Sequence, residues 1–225
     1  MQIKRTLRRG LRNKWSRIQP HTGLRGLDKK LLQYCDFENG FFVEAGANDG
    51  INQSNTYFLE KRRGWIGILI EPIPSLAAQC RVNRKAIIEE FALVAPSDVG
   101  AIQMLDLDLM SIVRSTHTSQ TDFLQHIKDA EIVQDAKSSL VNVTGTTLTK
   151  ILEKNNYPQI DLLSLDVEGY EIEVLKGLDL DKITPNLILI ETRKIKVVKE
   201  LLGNKYRLIE QLSHHDYLFG ITSAR

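Results

Sequence analysis

Short, largely apolar runs at residues 41–45, 65–70, 87–94, 160–167 and 187–190 limit this chain to few folds. Runs of that length read as strands inside a sheet covered on both faces. The segments between them, at 54–61, 75–82, 147–154, 168–176 and 195–202, read as helices, and Ser54 is placed to cap the first. A shorter helix is expected at 27–34. Strand alternating with helix in this order predicts an α/β fold with a doubly wound, mostly parallel sheet, Rossmann-like in its winding. Residues 206–212 and 217–221 flank His214, His215 and Asp216, which predicts a C-terminal antiparallel hairpin at the sheet edge. Residues 97–145 are less regular: 101–105 reads as a strand and 111–139 as a polar loop holding one helix.

A chain of 225 residues is long enough for one such domain. Residues 1–17 hold seven of the 30 Lys and Arg and none of the 28 Asp and Glu, so the remainder is net acidic. Nucleic-acid enzymes spread positive charge over the working face, so nucleic acid is not expected as a partner. Within the basic head, Ile3, Leu7, Leu11, Trp15 and Ile18 recur at three- or four-residue spacing, one apolar stripe on a helix. Such a helix suits peripheral contact of residues 1–18 with an anionic membrane surface, or packing on the domain. Residues 1–26 are therefore expected as a basic amphipathic segment and linker, with the domain proper at 27–225. No run approaches the length of a membrane span, and no apolar stretch follows the basic start as a secretory leader requires. Cys35 and Cys80 lack metal-ligand spacing and fit free buried thiols in a reducing cytoplasm.

The chemistry concentrates where ligands of wound sheets bind, at the carboxyl ends of the strands. The first strand runs through Glu44 into Gly46, Asn48, Asp49 and Gly50, and the glycines let the turn approach a ligand closely. A dinucleotide turn needs G-x-G-x-x-G; counting from Gly46, Asn48 and Ile51 stand where its second and third glycines belong. A carboxylate at the strand end also repels a pyrophosphate, which disfavours a nicotinamide-dependent oxidoreductase. Glu44 suits an ammonium group, and Glu71, closing the second strand, suits two ribose hydroxyls. A cationic, phosphate-free nucleoside meets both, and S-adenosylmethionine is one. Asp166 and Glu168 follow the central strand and Glu191 the next; these are the candidate catalytic acids. Glu168 and Glu171 also suit the first turn of a helix, where acids are favoured whatever the function. His117, His126, His214 and His215 lie in polar sequence and read as exposed. A metal requirement is left open.

In order and spacing these segments resemble the FkbM-type methyltransferase family over roughly 41–219. The resemblance is carried by Val43-Glu44-Ala45-Gly46-Ala47-Asn48-Asp49-Gly50, Ser54-Asn55-Thr56, Gly64-Trp65, Ile70-Glu71-Pro72, Asn83-Arg84, the stretch from Asp161 to Glu171, and Val174-Leu175-Lys176-Gly177. It implies a class I methyltransferase fold, S-adenosylmethionine as cofactor, and methyl transfer to a hydroxyl of a sugar, glycan or natural product. It also implies Glu44, Gly46, Asn48, Gly50 and Glu71 as cofactor positions, with Asp49 and Asn55 in the same motifs, and Asp166 and Glu168 as the central acidic motif. Residues 106–139 match least, so the acceptor is not legible there. The oligomeric state is not legible either. The rival from another class is a methyltransferase-like scaffold at a membrane without turnover; the intact Gly46–Gly50 turn and both strand-end acids oppose it.

Overall fold

A computed structural model of the chain describes residues 21–106, 112–113 and 139–222. The amphipathic stripe, His117 and His126 lie outside these residues. In chain order the elements are α1 (Leu27–Cys35), β1 (Phe41–Ala45), α2 (Tyr57–Arg63), β2 (Ile66–Ile70), α3 (Pro74–Asn83), β3 (Ile87–Glu89), β4 (Ala92–Leu93), β5 (Gly100–Asp106) and β6 (Ile112–Val113), followed by β7 (Ser139–Thr146), α4 (Leu148–Lys154), β8 (Leu162–Leu165), α5 (Glu171–Lys176), β9 (Leu187–Glu191), α6 (Ile195–Leu202), β10 (Tyr206–Gln211) and β11 (Asp216–Ile221).

Seven strands form the main sheet in the order β3-β2-β1-β8-β9-β11-β10. The first five run parallel. Strand period two sorts their side chains onto two faces. Val43, Ile68, Leu163 and Ile188 join one core with α4, α5 and α6 through Ile151, Val174 and Val198. Phe42, Leu69, Leu162 and Leu189 join the other with α1, α2 and α3 through Leu31, Leu59 and Cys80. Both faces are covered, as the unbroken apolar runs require. Cys35 and Cys80 are free and buried, and burial pushes the Cys35 thiol up to about 12.

The C-terminal hairpin is present, but β11 inserts between β9 and β10, so the antiparallel strand lies one place in from the edge. Burial explains the order: Leu218 and Phe219 of β11 are almost fully buried, whereas β10 is exposed beyond Tyr206.

A second sheet, β4-β7-β5-β6, corrects the expectation for the middle of the chain. The strand expected at 87–94 is two strands in two sheets. β3 pairs with β2 only as far as Ile70↔Glu89, where β2 ends. The chain then turns at Glu90 and Phe91, and β4 pairs with β7. Ser139 opens β7 rather than closing a loop, and β7 runs antiparallel to β5. The start of 168–176 is also not helical: Glu168 and Gly169 take left-handed φ of 54 and 92, and α5 begins at Glu171. Ser54 sits ahead of α2, which starts at Tyr57, yet its Oγ accepts from the Tyr57 N–H at 3.1 Å. Residues expected as linker are docked: His21 stacks on Phe58 at 4.1 Å, and the Thr22 N–H donates to buried Asp28 at 3.0 Å. Among the described residues no helix is long and apolar enough to cross a membrane.

Candidate active site

β1 leads to β2 on one side and β8 leads to β9 on the other, so the winding changes direction between β1 and β8. There the two strand ends separate and leave room for a ligand. Gly46 sets how closely they approach. Its φ is +79, and a Cβ built on it would lie 1.7 Å from the Asp166 carbonyl oxygen. A cavity opens at these strand ends. Glu44, Gly46, Asn48, Asn55 and Glu71 line it together with Asp166 and Glu168. Four of those side chains are carboxylates, and no Lys, Arg or His is among the described residues that line it.

The acids at the ends of β1 and β2 are pinned by the chain itself. Glu44 is 4% exposed. It accepts from the Ser54 and Thr56 hydroxyls at 2.8 and 2.6 Å and from the Asn55 N–H at 2.7 Å. Arg84, fully buried, stands 3.5 Å from the same carboxylate. It also donates to the Gly50 carbonyl and to both hydroxyls, at 2.9, 3.1 and 2.9 Å. Expected as an ammonium acceptor, Glu44 thus also organises the loop that presents Asn55. Glu71 accepts from the Asn48 N–H at 2.8 Å and the Ile73 N–H at 3.0 Å, so its carboxylate is oriented before any ligand arrives.

Two of the cofactor positions expected from sequence do not reach the cavity wall. Asp49 is fully buried and accepts from the Ile51 and Asn52 N–H groups at 2.9 and 2.8 Å. It therefore shapes the turn. Gly50 has φ +80, and a Cβ there would meet Arg84 Cγ at 2.9 Å, so it makes room for the buried arginine. Glu191 also lies off the cavity wall, at the end of the strand next to the one that leads to Asp166. His214 and His215 stack on each other 5.4 Å apart and take no part in the wall. Among the described residues no three His, Cys, Asp or Glu side chains converge as a metal site.

Several wall residues were not legible from the sequence. Ser164 is buried beside Glu44 in the β1–β8 register, and its Oγ accepts from Asn55 Nδ2 at 3.2 Å. A single hydroxyl inside an otherwise apolar strand was the available signal. Phe91, Leu93 and Met104 form an apolar wall. They come from the β3–β4 crossing and the second sheet, which sequence reasoning did not see.

The acids after β8 repel one another in a poorly solvated place. Burial first, then Glu191 and Glu168, push the Asp166 carboxyl well above the carboxylate range. Burial, then Glu191 and Glu171, push Glu168 up to about 8. Burial pushes Glu171, 3% exposed, up to about 7. A carboxyl raised in this way binds its proton more tightly when folded, so its stabilising effect is full at low pH. For Glu168 that effect is lost as pH climbs from the ordinary value of 4.5 through about 8. Ligand-free Glu168→Gln is therefore expected to match wild type in urea midpoint near pH ~5 and to exceed it above pH ~8. Equal midpoints across that window would show that Glu168 is not held protonated.

A family model, the Methyltransferase FkbM domain, matches residues 44–219, most of the chain. The chain belongs to the FkbM methyltransferase family. No curated protein matches it significantly in sequence. Among solved structures, an FkbM methyltransferase from Methylobacillus flagellatus is 13% identical and covers 82% of this chain, with a TM-score of 0.47. The chain spans only 44% of that protein. A TehB-like SAM-dependent methyltransferase from Corynebacterium glutamicum is 9% identical over 87% of this chain and 88% of its own, with a TM-score of 0.39. A fibrillarin/Nop5p complex matches at 10% identity, over 81% and 72% of the two chains, with a TM-score of 0.41.

Proposed function

We propose that this FkbM-family protein is an S-adenosylmethionine-dependent O-methyltransferase acting on a hydroxyl of a sugar, glycan or other natural product. The observation that carries the reading is a cavity at the switch point lined by Glu44, Glu71, Asp166 and Glu168, with no cationic side chain among the described residues that line it. That donor set fits a nucleoside with positive charge and no phosphate, and it is unsuited to a dinucleotide or a nucleic acid. Asn55 Oδ1, buried beside the cavity without a hydrogen-bond partner among the described residues, adds an acceptor that a ligand's ammonium group can satisfy. Glu71 suits the ribose diol, and the wall of Phe91, Leu93 and Met104 suits the adenine face. Bound there, S-adenosylmethionine supplies a methyl group on positively charged sulfur, an excellent leaving group. The protein's share is to hold the acceptor oxygen in line, which supplies much of the acceleration. Asp166 receives the hydroxyl proton as charge develops. A cytoplasmic setting with peripheral membrane contact through residues 1–18 belongs to the same reading and rests on the amphipathic spacing.

Thermal unfolding with S-adenosylhomocysteine, and with NAD as control, tests the cofactor. At a hundredfold excess over its dissociation constant a ligand stabilises by about 2.7 kcal/mol. The midpoint is then expected to rise by roughly 5–11 °C with the homocysteine nucleoside alone. A rise with NAD alone would overturn the reading, and no rise with either would favour a scaffold without turnover.

A further inference from the structure

Asp166 and Glu191 lie side by side. β8 and β9 are parallel and their register ends with Leu165 opposite Ile190, so Asp166 and Glu191, the residues that follow, stand at neighbouring carboxyl ends. That placement puts two carboxyls at neighbouring strand ends, where the charge of Glu191 raises the proton affinity of Asp166. Two carboxylates side by side repel each other, and one proton held between them relieves that repulsion. Asp166 lines the cavity and Glu191, on the neighbouring strand, does not.

We infer that Asp166 and Glu191 act as one unit, a carboxyl pair holding a single proton, which makes the site distinguish a ligand bearing positive charge at the sulfur position from one that does not. The inference rests on the proposed cofactor. Glu191 is a positioning residue, acting through Asp166. The groups facing the pair all bear on its proton. Glu168, Glu171 and Asp216 surround Asp166 with negative charge, while Arg193 and His215 offset that charge on the Glu191 side. Burial adds to the repulsion, and both carboxyls are raised above their ordinary values. Such a pair titrates as a unit. A sulfonium beside it favours release of the shared proton to solvent, and a neutral thioether favours keeping it.

The transfer balances on this pair. The acceptor oxygen bonds to the methyl carbon, the carbon–sulfur pair of electrons returns to sulfur, and the hydroxyl proton passes to the emptied dyad. One positive charge disappears from sulfur as one proton arrives on the carboxyls. The product complex therefore regains the protonation of the resting protein.

Calorimetric titration of the full chain in two buffers of different ionisation enthalpy counts the protons exchanged on binding. S-adenosylmethionine and sinefungin, which carries an ammonium where the other carries sulfonium, are expected to release up to one proton per site near neutral pH, and S-adenosylhomocysteine none. The affinity ratio of S-adenosylmethionine to S-adenosylhomocysteine then rises up to tenfold per pH unit while the pair titrates. Glu191→Gln presents an amide donor to Asp166, which lets Asp166 ionise alone, so proton release and the slope of the ratio both fall. The same proton release and pH dependence for all three ligands in the wild type would overturn the inference, whether or not the variant folds. Failure of all three to bind the wild type would overturn the cofactor reading itself, and the inference with it.

Discussion

Gly46→Ala is expected to remove nucleoside binding and to cost about 2–5 kcal/mol of stability, a drop in midpoint of roughly 5–20 °C. Two costs combine. The residue has φ +79, where an L side chain is strained, and the new Cβ would fall 1.7 Å from the Asp166 carbonyl oxygen. That oxygen belongs to backbone, so relief requires the ends of β1 and β8 to move apart. The Asp166 N–H donates to the Ala45 carbonyl at 3.2 Å, and the Gly46 N–H to the Ile70 carbonyl at 3.0 Å, so such movement spoils both flanks of the site. Gly169→Ala is the control: its φ is +92, but a Cβ there meets nothing within 4 Å. It is expected to cost about 1–2 kcal/mol from backbone strain and to leave the affinity for S-adenosylhomocysteine unchanged. Unaltered binding of S-adenosylhomocysteine by Gly46→Ala would show that the cavity does not depend on this contact.

Asp166→Asn is expected to lower methyl transfer by roughly 10²–10⁴-fold while S-adenosylhomocysteine still binds. The asparagine amide is nearly isosteric with the carboxyl and can donate to the neighbouring Glu191, so the resting arrangement is expected to survive. What is lost is a group able to take the acceptor's proton. The measurement is release of S-adenosylhomocysteine from S-adenosylmethionine in the presence of a panel of glycosides, alongside the binding isotherm. Undiminished turnover would remove Asp166 as the proton acceptor. Lost binding with a folded protein would make it a cofactor residue instead.

How far the site was legible depends on how local each interaction is. The turn after β1 was readable because its glycine and acid follow a strand whose end is marked by composition. Glu71, Asp166 and Glu168 were readable for the same reason, as acids closing apolar runs. A motif gives residue types and not directions: Asp49 accepts hydrogen bonds within its own turn, and Gly50 clears space for Arg84. The apolar wall was illegible because it depends on the chain leaving the main sheet at Glu90 and Phe91 for β4, and on β5 and β7 pairing across a long insertion. Alternation of Val141 and Val143 with polar neighbours was present in the sequence, but pairing at such separation leaves no local mark.

By itself the sequence determined the wound sheet, because runs such as Leu162–Leu165 can satisfy their backbone and bury both faces only inside parallel strands. It also determined which strand ends carry acids. Only the tertiary structure decided that β11 lies inside β10, that a second sheet walls the cavity, and that Asp166 lines the cavity while Glu191 does not. The reason is the range of the forces. Hydrophobic periodicity and turn chemistry act over a few residues, whereas strand order and the meeting of acids at neighbouring strand ends depend on residues far apart in the chain.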